Sequence, residues 1–169
     1  MSLVVKYVTN NKRNKVMDNI DKKILSILQK NARTPLKVIA EKVFLSSPAV
    51  SARIKQLERE GIITGYHTEV DLAKLGCFIN AFINISMEAS RKHDFYEFVQ
   101  KCPNVIECNS ITGDYSMLIK VAFPTTFELD AFVGELQKFG KTQTTIVFST
   151  PIKNRGIDIE SDSVKIQKV

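Results

Sequence analysis

Apolar residues recur with two different periods in this chain of 169 residues, and the change of period divides it into two modules. Up to about residue 60 they fall three or four positions apart, as on one face of a helix. From Cys77 to Met87 every odd position is apolar, which is the alternation of a strand with one buried face. We therefore expect a helical module followed by a module that contains a β-sheet.

The first module is predicted to hold three helices. Each opens with a polar residue that can cap free backbone amides, followed in two cases by proline: Asp18, Thr34-Pro35 and Ser46-Ser47-Pro48. Gly61 marks the end of the third helix, and the strand-like residues after it, 62 to 71, are expected to form a small wing. About four residues separate the second and third helices, which is the spacing of a helix-turn-helix motif.

The third helix has one apolar side and one polar side. Val50, Ile54 and Leu57 fall on the side that must face the other helices. The polar side could simply be hydrated, but the short turn before it favours a recognition helix that enters the DNA major groove. The candidate DNA-binding residues are Arg33, Thr34, Ser46, Ser47, Ser51, Arg53, Lys55, Gln56 and Arg59.

The charge distribution supports a nucleic-acid partner for the first module. Of the net charge of +6, residues 1 to 16 carry +4 and residues 17 to 71 carry +2, whereas the remainder is neutral. A basic end beside a neutral end is typical of a DNA-binding module attached to another domain. Residues 1 to 16 are interpreted as a basic arm, with a frayed terminus or a translation start at Met17 as the alternatives.

The second module is predicted to have the order strand, helix, strand, strand, helix, strand. The predicted strands are residues 77–87, 105–111, 115–123 and 143–149; one helix is closed by Pro103 and the other is opened by Thr125. This order is typical of a ferredoxin-like sandwich, with both helices on one face of an antiparallel sheet. Phe78 and Phe82 would project from the other face, so we expect them in a dimer interface.

Several motifs together resemble one family of prokaryotic transcription factors. They are Asp18-x-x-Asp21-x-x-Ile24-Leu25, Asn31-Ala32-Arg33, Ile39-Ala40, Leu45-Ser46, Val50-x-x-Arg53-Ile54-x-x-Leu57-Glu58-x-x-Gly61-Ile62-Ile63-x-Gly65-Tyr66, Leu75-Gly76 and Thr112-Gly113-Asp114-Tyr115. This pattern is similar to that of the Lrp/AsnC, or feast/famine, regulators and extends over nearly the whole chain from Met17.

The residue patterns predict an α+β fold with four segments. They are a basic arm at 1–16, a winged helix-turn-helix domain at 17–62, a wing and linker strand at 63–76, and a ferredoxin-like βαββαβ domain at 77–169. The resemblance covers the last three of these segments and leaves the arm unaccounted for. It also implies homodimers that assemble into tetramers or octamers, and a small-molecule effector, commonly an amino acid, bound between paired sensing domains. The family's effector signature falls on Thr112, Gly113, Asp114, Tyr115 and Ser116, where Ser116 replaces the usual aspartate and removes one negative charge.

Other classes of protein find less support in the sequence. The three cysteines form no C-x-x-C pair and the two histidines have no metal-ligand spacing, so neither a disulfide framework, a metal site nor a cofactor is expected. No apolar run is long enough to span a membrane, and we expect a cytoplasmic protein. Two alternatives remain open: an enzyme on the same scaffold, similar to the siroheme decarboxylases, and a nucleoid-organising protein with little sequence preference.

Overall fold

The computed structural model describes residues 17–159, which form two compact units. Residues 17–68 together with 152–159 make the first unit, and Glu69–Pro151 make the second. The basic arm predicted at residues 1–16 lies outside the described residues. The sequence pattern gave no reason to group residues 152–159 with the first module, whereas the structure does.

Three helices form the first unit: α1 (Asn19–Lys30), α2 (Leu36–Val43) and α3 (Ser47–Arg59). Asp18 caps α1 as predicted, because its Oδ1 accepts a hydrogen bond of 2.8 Å from the amide of Asp21. Ser46 caps α3 in the same way through the amide of Ala49. The apolar side chains that these helices turn towards one another make the core, in which Ile24, Ile39, Ala40, Val43 and Val50 are buried.

Two local predictions in this unit differ from the structure. Thr34 does not cap α2; Pro35 holds the N-cap position without a side-chain bond, and the Thr34 hydroxyl donates instead to the carbonyl of Asn31. Residues 63–76 form no strand with any described residue, and Ala73–Leu75 make a short 3₁₀ turn. A strand is stable only when its backbone groups pair, and alternation alone supplies no partner.

The second unit contains a four-stranded antiparallel sheet and two α-helices. Its elements are β1 (Ile79–Ser86), a 3₁₀ turn (Ala89–Arg91), α4 (Lys92–Gln100), β2 (Val105–Ser110), β3 (Met117–Phe123), α5 (Thr126–Gln137) and β4 (Lys141–Ile146). The strand order is β2-β3-β1-β4, with β1 between β3 and β4. This is the ferredoxin-like order that the sequence predicted.

The register of β1 against β3 explains where the core of the second unit lies. Ile83 pairs with Ile119 and Ile85 with Met117, and all four side chains are buried under the helices. Phe95 and Leu136, from α4 and α5, are fully buried in the same cluster. Because side chains alternate between the two faces of a strand, the even-numbered residues of β1 lie on the other face.

Candidate nucleic-acid interface and effector loop

Helix α3 is held in place by its apolar side. Val50 and Leu57 are buried, and Val50 and Ile54 pack in the core cluster shared with α1 and α2. The turn from α2 to α3 spans only residues 44–46, so the orientation of α3 is closely tied to that of α2. Its opposite side reaches the surface at Pro48, Ala52, Lys55 and Arg59. The exposed side is therefore the one that was predicted to be polar.

Three of the predicted DNA-binding cations are exposed and form no ion pair with a described residue. They are Arg33 in the segment between α1 and α2, and Lys55 and Arg59 on α3. A cation without a carboxylate neighbour keeps its full field at the surface and can release counterions from a phosphate backbone. The charge of this surface suits an anionic partner.

Arg53 is placed differently from the other predicted contacts. Its Nη1 atom lies 2.7 Å from Asp18 Oδ2 and 2.7 Å from Asp21 Oδ1. Only about a quarter of its side chain is exposed (26%). The guanidinium thus binds the two acids at the beginning of α1, and this favours a role in positioning α3 over direct contact with DNA.

The ionisation of this cluster is consistent with its geometry. The hydrogen bonds to Asp21 and then Asp18 raise the pKa of Arg53 above its ordinary value. Burial alone would raise the pKa of Asp18, but the hydrogen bond from the Asp21 amide and the interaction with Arg53 outweigh it and leave the pKa lowered. Asp18 and Arg53 therefore carry opposite charges together at neutral pH.

Two more hydrogen bonds involve the second half of α3. Gln56, a predicted contact, is half-buried and donates from Nε2 to Glu60 Oε1 over 2.7 Å. The Tyr66 hydroxyl donates to Glu58 Oε1 over 2.8 Å and so fixes the chain that follows the helix. Burial, and then the neighbouring Glu58 carboxylate, raise the pKa of Tyr66. Glu58 and Tyr66 are positions of the family motif, but the sequence did not predict that they bind each other.

The N-terminal end of α3 carries the remaining predicted contacts. Ser46 is exposed, and Ser47 and Ser51 are half-buried. Thr34 is half-buried at the beginning of α2. The Ser46 hydroxyl already accepts the Ala49 amide, but a hydroxyl can still donate its proton to a second acceptor. The serine hydroxyls, Lys55 and Arg59 thus lie along one helix and the turn before it, whereas Arg33 and Thr34 precede α2.

The predicted effector residues form the loop between β2 and β3. Thr112, Gly113 and Asp114 are exposed, and Tyr115 is half-buried. Gly113 has φ +109°, a conformation that side chains other than hydrogen rarely allow. The amide of Ile111 donates to the carbonyl of Ser116 over 3.0 Å and closes the loop. A free carboxylate at the tip of a fixed loop could bind an ammonium group.

Ser116 connects this loop to the end of β1. Its amide donates to the carbonyl of Ile85 over 2.9 Å, its hydroxyl donates to the same carbonyl, and its Oγ accepts the amide of Met87. The hydroxyl is part-buried, and both of its bonds are to the backbone. Ser116 therefore fixes the loop, an arrangement that the sequence did not predict.

The predicted dimer residues are exposed in the single chain. Phe78 is 67% exposed just before β1, and Phe82 is 37% exposed within it. The register places Phe82 between Lys120 of β3 and Thr145 of β4, on the face of the sheet opposite to the buried core. An exposed aromatic surface of this kind is typical of a contact with another protein surface.

A metal site requires ligand side chains placed close together, and a membrane span requires a long apolar helix. Within residues 17–159, no cluster of three or more His, Cys, Asp or Glu side chains is placed to hold a metal ion. None of the helices in this range is long and apolar enough to cross a bilayer. Cys77, Cys102 and Cys108 are half-buried thiols, and burial raises the pKa of the last two.

Two family models match the chain. Residues 17–64 match a winged helix-turn-helix DNA-binding domain, and residues 80–157 match the Lrp/AsnC ligand binding domain. Among curated proteins, the transcriptional regulator LrpA of Bacillus subtilis is 38% identical over 78% of this chain and 98% of its own length. The regulator FL11 of Pyrococcus furiosus is 35% identical over 78% of this chain and 89% of its own.

Solved structures of transcriptional regulators also resemble this chain. LrpC of B. subtilis superposes with a TM-score of 0.78 at 28% identity, covering 83% of this chain and all of that one (100%). A transcriptional regulator from Neisseria meningitidis in complex with L-Met gives 0.76 at 29% identity over 82% and 93%. These names favour regulation over the enzyme and nucleoid alternatives. The chain is a DNA-binding transcription regulator of the Lrp/AsnC family, in which a ligand-binding domain follows the winged helix-turn-helix domain.

Proposed function

We propose that this regulator recognises specific DNA sequences as a homodimer, with α3 lying in the major groove. The observation that carries the proposal is the exposed side of α3, where Lys55 and Arg59 have no carboxylate partner among the described residues. A helix with unpaired cations on its free side fits a groove about 12 Å wide and lined by phosphates. The predicted boundaries, residues 17–62 for the DNA-binding domain and 77–169 for the sensing domain, belong to this proposal.

The candidate contacts divide into three groups. Ser46, Ser47, Ser51 and Lys55 are assigned to base edges and nearby phosphates, because they follow one another from the N-cap of α3 to just past its middle. Arg33, Thr34 and Arg59 are assigned to the backbone on either side. Gln56 binds Glu60 through one N–H and keeps its second N–H and its Oε1 for a contact with DNA. Arg53 acts by positioning α3 through Asp18 and Asp21.

The dimer is assigned to the free face of the sheet in the second unit. Phe78 and Phe82 lie at or beside this face, and a second copy would remove their rings from water. Two-fold pairing would place two α3 helices for two half-sites. Assembly of dimers into tetramers or octamers is part of the same proposal, and it is supported by the resemblance to the Lrp/AsnC family.

The loop at residues 112–116 is proposed to take part in effector binding. The N. meningitidis relative was solved with L-Met, and an amino acid is the first class of ligand to test here. Asp114 is exposed at the tip of the loop and could accept hydrogen bonds from an ammonium group. Ser116 holds the loop in place by its hydrogen bonds to the backbone at the end of β1.

We also propose that the protein has no catalytic activity of its own and acts in the cytoplasm, where its DNA lies. The names of its relatives support both statements, since they are transcriptional regulators. A siroheme decarboxylase assay on the full chain tests the first of them, and substrate turnover would overturn it.

The test of the main proposal is a genomic footprint of the full-length protein. We expect protected sites with two half-sites about one helical turn, or a multiple of it, apart. Salt should weaken binding steeply, because a dimer that neutralises roughly six to ten phosphates releases as many counterions. Uniform coverage of the genome without preferred sites would contradict sequence-specific recognition and favour a nucleoid-organising role.

A further inference from the structure

Phe44, in the turn between α2 and α3, has an unusual backbone conformation. Its φ is +56° and its ψ is +46°, which is the left-handed region. Among the described residues it is the one non-glycine residue with a positive φ. The turn requires this conformation, because the amides of Phe44 and Leu45 both donate to the carbonyl of Ala40 and close the end of α2. Glycine is the residue that ordinarily takes such a place.

The phenylalanine ring does not pack in the hydrophobic core, so no burial of the ring offsets the backbone strain. It is 89% exposed, whereas its neighbours Val43 and Leu45 pack on the core of the first unit. Glycine would relieve the contact between Cβ and the backbone that makes the left-handed conformation unfavourable. A strained residue whose side chain is in water is a candidate for a function at the surface.

The position of Phe44 indicates that its exposed ring belongs to the surface that is assigned to DNA. Phe44 lies two residues before Ser46, the N-cap of α3, and four before the exposed Pro48. Phe44 therefore belongs to the turn that leads directly into the helix assigned to the major groove, and its exposed ring is free to contact DNA there. In that groove the apolar group that distinguishes one base from the others is the C5-methyl of thymine, and phenylalanine is among the side chains that contact it.

We propose that Phe44 is a further specificity-determining residue, whose ring packs on a thymine methyl group beside the bases read by α3. The proposal rests on the proposed DNA-binding role of α3. DNA is the proposed partner of the ring because Phe44 lies in the turn immediately before the helix assigned to the groove. Docking of the ring on another protein would appear in the test as a variant with unchanged DNA affinity.

The experiment compares Phe44→Gly and Phe44→Asn with the wild-type full chain, since both replacements tolerate a positive φ. Phe127→Ala serves as the matched control, because this phenylalanine is also exposed (81%) but lies on α5 in the other unit. The DNA is the duplex that the wild-type protein enriches from a random pool. A series of the same duplex has each thymine in turn replaced by deoxyuridine, which removes only the methyl group.

We expect both Phe44 variants to melt at or above the wild-type temperature and to bind the selected duplex more weakly. One deoxyuridine replacement should weaken the wild type about fourfold, as the loss of one buried methyl group implies, and leave the Phe44 variants unchanged. The dependence on salt should stay the same, because no phosphate contact is lost. Phe127→Ala should bind as the wild type does.

Equal affinity of the wild type and both Phe44 variants would overturn the proposal. So would a deoxyuridine effect of the same size in all proteins, because the methyl contact would then come from another residue. Lys55→Ala separates this failure from that of the proposed function. If Lys55→Ala weakens binding and the Phe44 variants do not, only the role of Phe44 fails; if the wild type selects no duplex at all, both fail.

Discussion

The guanidinium of Arg53 and the carboxylate of Asp21 lie 2.7 Å apart, and this ion pair joins the middle of α3 to the beginning of α1. Asp21 also accepts the amide of Asp18, whose carboxylate is the second partner of the arginine. One cluster therefore caps α1 and orients the helix assigned to DNA. A residue that looks like a DNA contact in the sequence is occupied within the protein.

Arg53→Met should lower the free energy of unfolding but leave the number of phosphate contacts with DNA unchanged. We expect a loss of about 1 to 2 kcal/mol in the free energy of unfolding, because two charge-assisted hydrogen bonds disappear at a partly exposed site. The slope of log K against log salt should stay that of the wild type. Chemical denaturation and a salt titration measure the two quantities, and a smaller slope would show that Arg53 binds phosphate after all.

Replacement of Asp18 by asparagine should reveal the pH dependence of this cluster, since asparagine keeps the N-cap but not the charge. The folded pKa of Asp18 lies below its ordinary 3.8. Its contribution to stability is therefore fully present above the pKa of the unfolded chain and is lost as pH falls through the lower folded value. Chemical denaturation of the wild type and of Asp18→Asn between pH 2 and 7 should show a difference in unfolding free energy that shrinks only in acid. A difference that stays constant with pH would contradict this assignment.

Lys55→Ala should weaken DNA binding without destabilising the protein, because the Lys55 side chain is exposed and has no ion pair among the described residues. We expect a loss of about 1 to 3 kcal/mol of binding free energy if Lys55 contacts a base edge. If it contacts phosphate, the salt slope should fall by about 1. Lys101→Ala, an exposed lysine of the other unit, is the control, and equal binding by both variants would refute the assigned face.

Gly113→Val should remove the response to effector. A Cβ at residue 113 meets no atom within 4 Å, so the substitution acts through the backbone, whose φ of +109° valine cannot adopt without strain. Thermal shifts with a panel of amino acids should disappear in the variant. Gly134→Ala, on α5 with equally open space, is the control and should keep them. A ligand that stabilises Gly113→Val as well must bind elsewhere.

Phe82→Asp should weaken self-association. The substitution places a charge on the free face of β1, where Phe82 is proposed to pack against a second copy. Light scattering on the purified chain should show a smaller particle than the wild type at the same concentration. Phe127→Asp, an exposed phenylalanine on α5, should leave the mass unchanged. An unchanged mass for Phe82→Asp would exclude this face from the interface.

The sequence by itself determined the features that depend on neighbours within a few positions. Asp18 and Ser46 cap helices because each side chain reaches an amide three residues later. The alternation through Ile83 and Ile85 gave the buried face of β1, since successive side chains of a strand point to opposite sides. The order of these elements then gave the ferredoxin-like sandwich, and the motifs gave the family.

Only the tertiary structure decided which distant groups meet. Arg53 binds Asp21 across 32 positions of the sequence, and Ser116 binds the backbone at Ile85 across 31. No local period encodes such contacts, because they depend on how helices pack and how strands align. The same reason explains residues 63–76: their alternation suits a strand, but a strand also needs a partner, and packing supplies none among the described residues.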